Sequence, residues 1–221
     1  MGCDIHLYLE HRINGAWESC ATWTEDKYTP GQLSVDYDHQ IFTDRNYHLF
    51  SLLAGVRSED DTAPIIAPKG FPDDACALLV KEYQNDGGHT PTWITLAEFM
   101  AVDWQQPMHY EKSVEFGAYA RWNSWDRAHG ESPSGGWCSW TSVKTITEAE
   151  AAPIIADHLA KGGNLHDFKH AGYMGELYVR CKWSVPRYRV AERFIAKVIT
   201  RMFALGKPDD VRAVFWFDNS H

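Results

Sequence analysis

Asp4 and His6 stand two residues apart in the segment CDIHLYLEHR, residues 3 to 12. In an extended strand this spacing puts a carboxylate and an imidazole side by side, because successive side chains alternate across the pleat. Cys3, Ile5, Leu7 and Leu9 then form the opposite, apolar face. A carboxylate beside a neutral imidazole suits a Zn, Mn or Fe ion, and it equally suits acid and base roles on a bound ligand. Near the far end, VRAVFWFDN (residues 211 to 219) reads as a strand closing on Asp218 and Asn219. If it pairs antiparallel with the first strand, the start of one faces the end of the other. Asp4, His6, Asp218 and Asn219 then converge at one sheet edge, with Asp4, His6 and Asp218 as ligands for a divalent metal ion. The plainer alternative is that the two acids only close strand ends in solvent.

Three further stretches carry candidate chemistry. Asp44-Arg45-Asn46-Tyr47 opens a helix, where backbone N–H groups favour anions and Arg45 offers a bidentate fork for phosphate or carboxylate. Asp44 either caps that helix or joins the site as a ligand or base. Lys69-Gly70, inside the Pro-stiffened segment APIIAPKGFPDD, adds a second positive group. Gly87-Gly88-His89-Thr90 places His89 on a turn ahead of a helix, where glycine permits close backbone approach. The expected catalytic set is therefore Asp4, His6, Asp44 and His89, with Arg45, Asn46, Tyr47, Lys69 and Asn219 as ligand-binding groups. His166 and His170 fall at i, i+4, but Gly163 and Gly172 oppose a helix that would align them. Dinucleotide, Walker, GxSxG and kinase motifs are absent, which disfavours nucleotide motors and serine hydrolases.

The positioning elements follow from turn and cap chemistry. Asn14-Gly15 predicts a hairpin whose second strand runs from Ala16 to about Thr24. Leu49, Phe50 and Leu53 recur at helical spacing, with Asp44 or Asn46 as cap and Gly55 as stop. Asp73 or Asp74 caps a second helix that ends at Gly87-Gly88. Thr95 with Glu98, and Thr147 with Glu150, are capping boxes. In the last third LYVRCKWSV reads as a strand, PRYRVAERFIAKVITRMFAL as a helix of about five turns striped by Val190, Phe194, Val198 and Met202, and VRAVFWFDN as a returning strand. That succession suggests an α/β unit with the helix packed on the sheet.

The expected fold is α/β or α+β: one globular domain over residues 1–221, a mixed sheet holding both terminal strands, and helices on one face. An irregular Trp-rich insertion or subdomain covers about 105–142. Its Trp122, Trp125, Trp137 and Trp140, like Trp104 just before it, serve packing or base and sugar stacking.

A hydrophobic content of 44% supports a sizeable core. The formal charge of −9 makes bulk nucleic-acid binding unlikely, since that affinity comes from clustered cations. Five scattered cysteines without a CxxC pair fit reduced thiols in a cytoplasm. Neither a leader nor an apolar run of the ~20 residues needed to span a bilayer is expected.

The blocks GCDIH, DRNYHLFSLLAGVR, PKGFP, GHTPTWITLAEF and VRAVFWFDN together resemble an uncharacterised family of proteins encoded by tailed bacteriophages and prophages. Residues 105 to 180 carry least of the resemblance. It implies a viral accessory protein in a bacterial host cytoplasm, brings no activity with it, and adds weight to Asp4, His6, Asp44, Arg45, Asn46 and His89. The expected function is a polar pocket for a small anionic or nucleotide-like ligand, with metal-assisted hydrolysis as its chemistry. The rivals are a non-catalytic acidic inhibitor of a host protein, motivated by Glu59-Asp60-Asp61 and Asp73-Asp74, and a sponge that releases its ligand unaltered.

Overall fold

The computed structural model describes residues 2–58, 63–133, 137–138, 144–165 and 177–219. Glu59-Asp60-Asp61, Trp140, His166 and His170 lie outside the described residues, and Trp137 is described by its backbone alone. In chain order the strands are β1 (Asp4–Ile13), β2 (Ala16–Ser19), β3 (Thr24–Glu25), β4 (Leu33–Ser34), β5 (His89–Thr95), β6 (Pro107–Glu115), β7 (Trp137–Cys138), β8 (Lys144–Thr147), β9 (Leu177–Pro186) and β10 (Val211–Asp218). The helices used below are α1 (Tyr47–Ala54), α2 (Ala77–Asp86), α3 (Leu96–Met100), α4 (Phe116–Ser124) and α5 (Glu148–Ala160). The architecture is α+β, and it divides into two compact units: Met1–Trp104 with Tyr188–His221, and Gln105–Arg187.

The first unit is built on a sheet of order β2-β1-β10-β5. Asn14 (φ 50°) and Gly15 (φ 88°) both take the positive φ that a tight hairpin requires, joining β1 to β2. β2 pairs only with Glu10–Ile13, so the outer edge of β1 before Glu10 has no strand partner among the described residues. The terminal strands pair antiparallel in the register Asp4↔Asp218, His6↔Trp216, Tyr8↔Val214 and Glu10↔Arg212. β5 is the other edge strand, the place where Pro91 does least harm to the ladder. Every pairing in this sheet is antiparallel.

One face carries Ile5, Leu7, Leu9, Phe215 and Phe217, all at most 4% exposed. Phe217 packs edge-on to Phe50 of α1, and Phe194 meets both Phe42 and Phe99. The expectation of helices on this face alone is corrected. The face with alternating polar residues is buried too, because Tyr8, Val214 and Trp216 pack against Leu79 and Tyr83 of α2. Large aromatics interleaved with the polar side chains make that face apolar enough to attract a helix. The carboxylate of Glu10 is fully buried there, held by Arg212 Nε at 2.8 Å and by the backbone N–H of Cys76 at 2.8 Å.

Two more sequence expectations change. The five-turn helix is interrupted: Glu192–Phe194 leads into a π-helical turn at Ile195–Ile199 and then Thr200–Leu205, although Phe194, Val198 and Met202 form the buried stripe. β9 and β10, read as strands of one α/β unit, belong to different sheets.

The second unit has sheet order β7-β6-β9-β8, with β8–β9 its parallel pair. Val114, Phe116, Trp122, Leu177 and Val179 form its core. Glu115 caps α4 by accepting from Gly117 and Ala118, and the Thr147–Glu150 capping box starts α5. The stretch expected to be irregular therefore holds β6 and α4, within a unit that extends to Arg187.

Candidate functional site

The antiparallel pairing of β1 and β10 brings Asp4, His6 and Asp218 to one end of the first sheet, on the face they share with Trp216. His6 lies parallel to the Trp216 indole, ring centroids 5.7 Å apart and planes within 2°. Its Nε2 is 3.2 Å from Asp218 Oδ2 and 3.4 Å from Asp86 Oδ2. The side chains of His6, Asp218 and Asp86 keep 21%, 35% and 24% of their surface exposed, open to a ligand yet withdrawn from full hydration.

Asp86 is the member that sequence reasoning missed. It closes α2, whose C-terminal end is the negative pole of the helix dipole, so a carboxylate there is locally unfavourable. That conflict is the signal that could have singled it out. Two features hold it in place. Gly87 ends α2 with φ 67°, and Gly88 runs so close to β10 that a Cβ on it would stand 2.3 Å from Trp216 Cδ1. The chain leaving α2 is thereby laid across the indole edge, and Trp216 Nε1 donates to Asp86 Oδ2. One turn back on α2, Glu82 accepts from the Tyr8 hydroxyl at 3.0 Å. Burial raises the Glu82 carboxyl above its ordinary 4.5. Burial, reinforced by Glu82, drives the Tyr8 phenol far above its usual range, so it stays a donor.

Asp4 does not join the His6 cluster as a ligand. Its two oxygens are clasped by the Arg45 fork, Nε to Oδ1 and Nη2 to Oδ2, each at 2.6 Å. The hydrogen bonds to Asp4 hold the Arg45 guanidinium above its ordinary pKa. The fork expected for a ligand anion thus grips the chain's own carboxylate. Asp4, His6, Arg45 and Asp218, with Tyr37, Gln40 and Thr43, line a cleft of about 470 Å³.

The other expected site residues sit elsewhere. Asp44 pairs with Arg193 at 2.9 Å and Lys197 at 3.9 Å and does not cap α1. Asn46 is the cap, accepting from Leu49 N–H and donating to Val190 O. Tyr47 accepts from the Cys3 N–H. Lys69 pairs with Glu98 at 2.6 Å and lies 3.7 Å above the Trp93 ring. Asn219 accepts from Arg57. His89 begins β5 instead of lying on a turn, opposite Phe217 and on the sheet face away from His6. Asp73 and Asp74 do not cap α2, whose first residue follows Cys76; Asp74 instead accepts from Trp17 Nε1 and Arg212 Nη1.

Among the described residues His6, Asp86 and Asp218 are the one group of three whose donor atoms lie within 4.8 Å of one another. No protein-family model, curated protein or solved structure matches the chain. No helix among the described residues is long and apolar enough to cross a membrane.

Proposed function

We propose that the cleft at the paired ends of β1 and β10 binds a divalent cation through His6, Asp86 and Asp218, and with it a small anionic or nucleotide-like molecule that it hydrolyses. The observation that carries this reading is the spacing of the donors. Metal–nitrogen and metal–oxygen bonds of about 2.0–2.2 Å put adjacent ligand atoms about 3 to 3.6 Å apart at octahedral or tetrahedral angles. The two distances from His6 Nε2, 3.2 and 3.4 Å, fall in that range. The donor set of one imidazole and two carboxylates suits Zn, Mn or Fe. Trp216 supplies the outer hydrogen bond that orients a ligating carboxylate.

Charge decides why a cation belongs to this reading. The cleft is lined by Asp4 and Asp218, Asp86 stands 3.4 Å from His6 with Glu82 one turn back on α2, and the Arg45 guanidinium is engaged by Asp4. At 4 Å two like charges repel by about 1 kcal/mol in water and about 4 at a partly buried site, so a phosphate is rejected unless a bound cation reverses the field. A divalent ion there supplies a Lewis acid and a water acidic enough to attack at neutral pH. The protein's part is to hold the donors, exclude bulk water along the Trp216 ring and keep the cleft open on one side.

The acidic-inhibitor reading draws less support, since Asp74 is engaged with Arg212 and Trp17. The phage setting rests on the sequence blocks alone.

The test is calorimetric titration of EDTA-stripped protein with Zn²⁺ and Mn²⁺, run beside Asp86→Asn and Asp218→Asn. One equivalent binds the parent, and each variant, having lost a ligand and not merely an outer-shell partner, binds at least about 10- to 100-fold more weakly. Hydrolysis of bis-p-nitrophenyl phosphate then follows the same order. Equal metal uptake by the parent and a His6→Ala/Asp86→Asn/Asp218→Asn variant overturns the site, leaving the three groups as a hydrogen-bonded cluster.

A further inference from the structure

A second cleft, of about 410 Å³, lies beside the unpaired edge of β1. Leu7, Leu9, Val35 and Ile41 give it apolar walls, and Lys197 and Arg201 stand over it from the C-terminal helical run. No Asp or Glu is among the described residues that line it, although the chain carries a formal charge of −9. His39 joins the lining, and Cys20, whose thiol burial pushes up to about 11, adds an uncharged wall.

The helical run is built to present these cations. Lys197 lies within the π-helical turn Ile195–Ile199 and Arg201 one turn later, while Val198 and Met202 face the core. Single π turns inside helices are frequent at functional sites. Among the described residues the counter-ion of Lys197 is a distant one, Asp44 at 3.9 Å. Arg201 has no carboxylate within ion-pair distance among the described residues. A guanidinium with no carboxylate partner among the described residues, lining the same cleft as these apolar side chains, is complementary to a particular kind of molecule. Ligand pockets of about 300–1,000 Å³ with an apolar body and a few directed polar groups follow this plan, and the planar guanidinium fork matches carboxylate, sulfonate or phosphate heads.

We infer that this cleft binds an amphipathic anion, its acidic head held by Lys197 and Arg201 and its flat apolar body lying against Leu7, Leu9, Val35 and Ile41. The site is separate from the metal donors and does not rest on the metal reading. Gln40 alone among its lining side chains also borders the first cleft.

The probe is 1-anilinonaphthalene-8-sulfonate, titrated into the full chain by calorimetry and fluorescence. Saturable one-to-one binding is expected in the parent. Lys197→Glu/Arg201→Glu, at two exposed positions and so compatible with folding, weakens it by about 100-fold, a factor of about ten for each cation replaced. The uncharged analogue N-phenyl-1-naphthylamine binds parent and variant alike. EDTA and Asp86→Asn leave sulfonate binding unchanged, so failure of the metal site and failure of this one register separately. Sulfonate binding that is absent from the parent, or undiminished in a variant with parental circular dichroism, overturns the inference.

Discussion

Two carboxylates, Glu82 of α2 and Glu10 of β1, meet at the polar face of the first sheet and show how far local chemistry is set by burial. Glu82 meets the Tyr8 hydroxyl in a half-buried position and has its carboxyl raised. A carboxyl with a raised folded-state pKa holds its proton more tightly in the native state, so stability falls as pH climbs from the unfolded value near 4.5 through the folded one. Glu82→Gln keeps an acceptor for Tyr8 and removes the titration. Urea unfolding across pH 4 to 7 is expected to show a shallower decline for this variant than for the parent, and parallel curves would exclude Glu82 as the source. Glu10 and Arg212 present the opposite case, a charge pair with 0% and 2% of side-chain surface exposed. Arg212→Met leaves the Glu10 carboxylate buried with only the Cys76 N–H, costing about 3–5 kcal/mol. Adding Glu10→Gln removes the orphaned charge and is expected to recover part of that loss. A double variant no more stable than the single one would show that packing of Arg212 between Trp17 and Trp93 dominates instead.

At the scale of elements, the link between α2 and β5 decides whether the site exists. Gly88→Ala forces a methyl against the Trp216 indole and Phe217 O, where a Cβ would stand 2.3 and 2.8 Å away. Overpacking of this kind costs about 1–3 kcal/mol, and it also displaces the indole that holds Asp86. Denaturant unfolding and zinc titration are expected to fall together in this variant; parental values in both would mean that the close approach is not needed. The same link shows what the sequence makes legible. The Asn14-Gly15 hairpin and both capping boxes follow from local turn and cap chemistry, Asn46 is one of the two caps that chemistry offers α1, and strand alternation sets Asp4 opposite Asp218 only once the terminal strands are supposed to pair. β5 is hidden because the turn formers around His89 and Pro91 outweigh its short apolar alternation. In β6, Met108, Tyr110, Lys112 and Val114 are the buried alternate positions, and a lysine 3% exposed breaks the pattern a reader would trust. Asp86 reaches the site only through tertiary packing of α2, which no spacing along the chain encodes.

For the whole molecule, the consequence of the two-unit division is that the described residues lining both clefts belong to the first unit. The chain leaves that unit after Trp104 and re-enters it at Tyr188, whose N–H donates to Trp104 O at 2.9 Å. Exit and re-entry are therefore neighbours, the geometry in which an inserted segment can be removed without stretching its host. Closing a short loop there costs little, because loop entropy grows only as the logarithm of length. A chain in which a Gly-Ser linker of about six residues replaces 105–187 is expected to unfold cooperatively and to bind one equivalent of zinc with an affinity within about threefold of the parent, since the donors and their supports all remain. Circular dichroism melts and calorimetry check this. A shortened chain that melts without a transition would mean that the first unit depends on the second for folding. One that folds but takes up no zinc would mean that the second unit shapes a site to which it contributes no ligand.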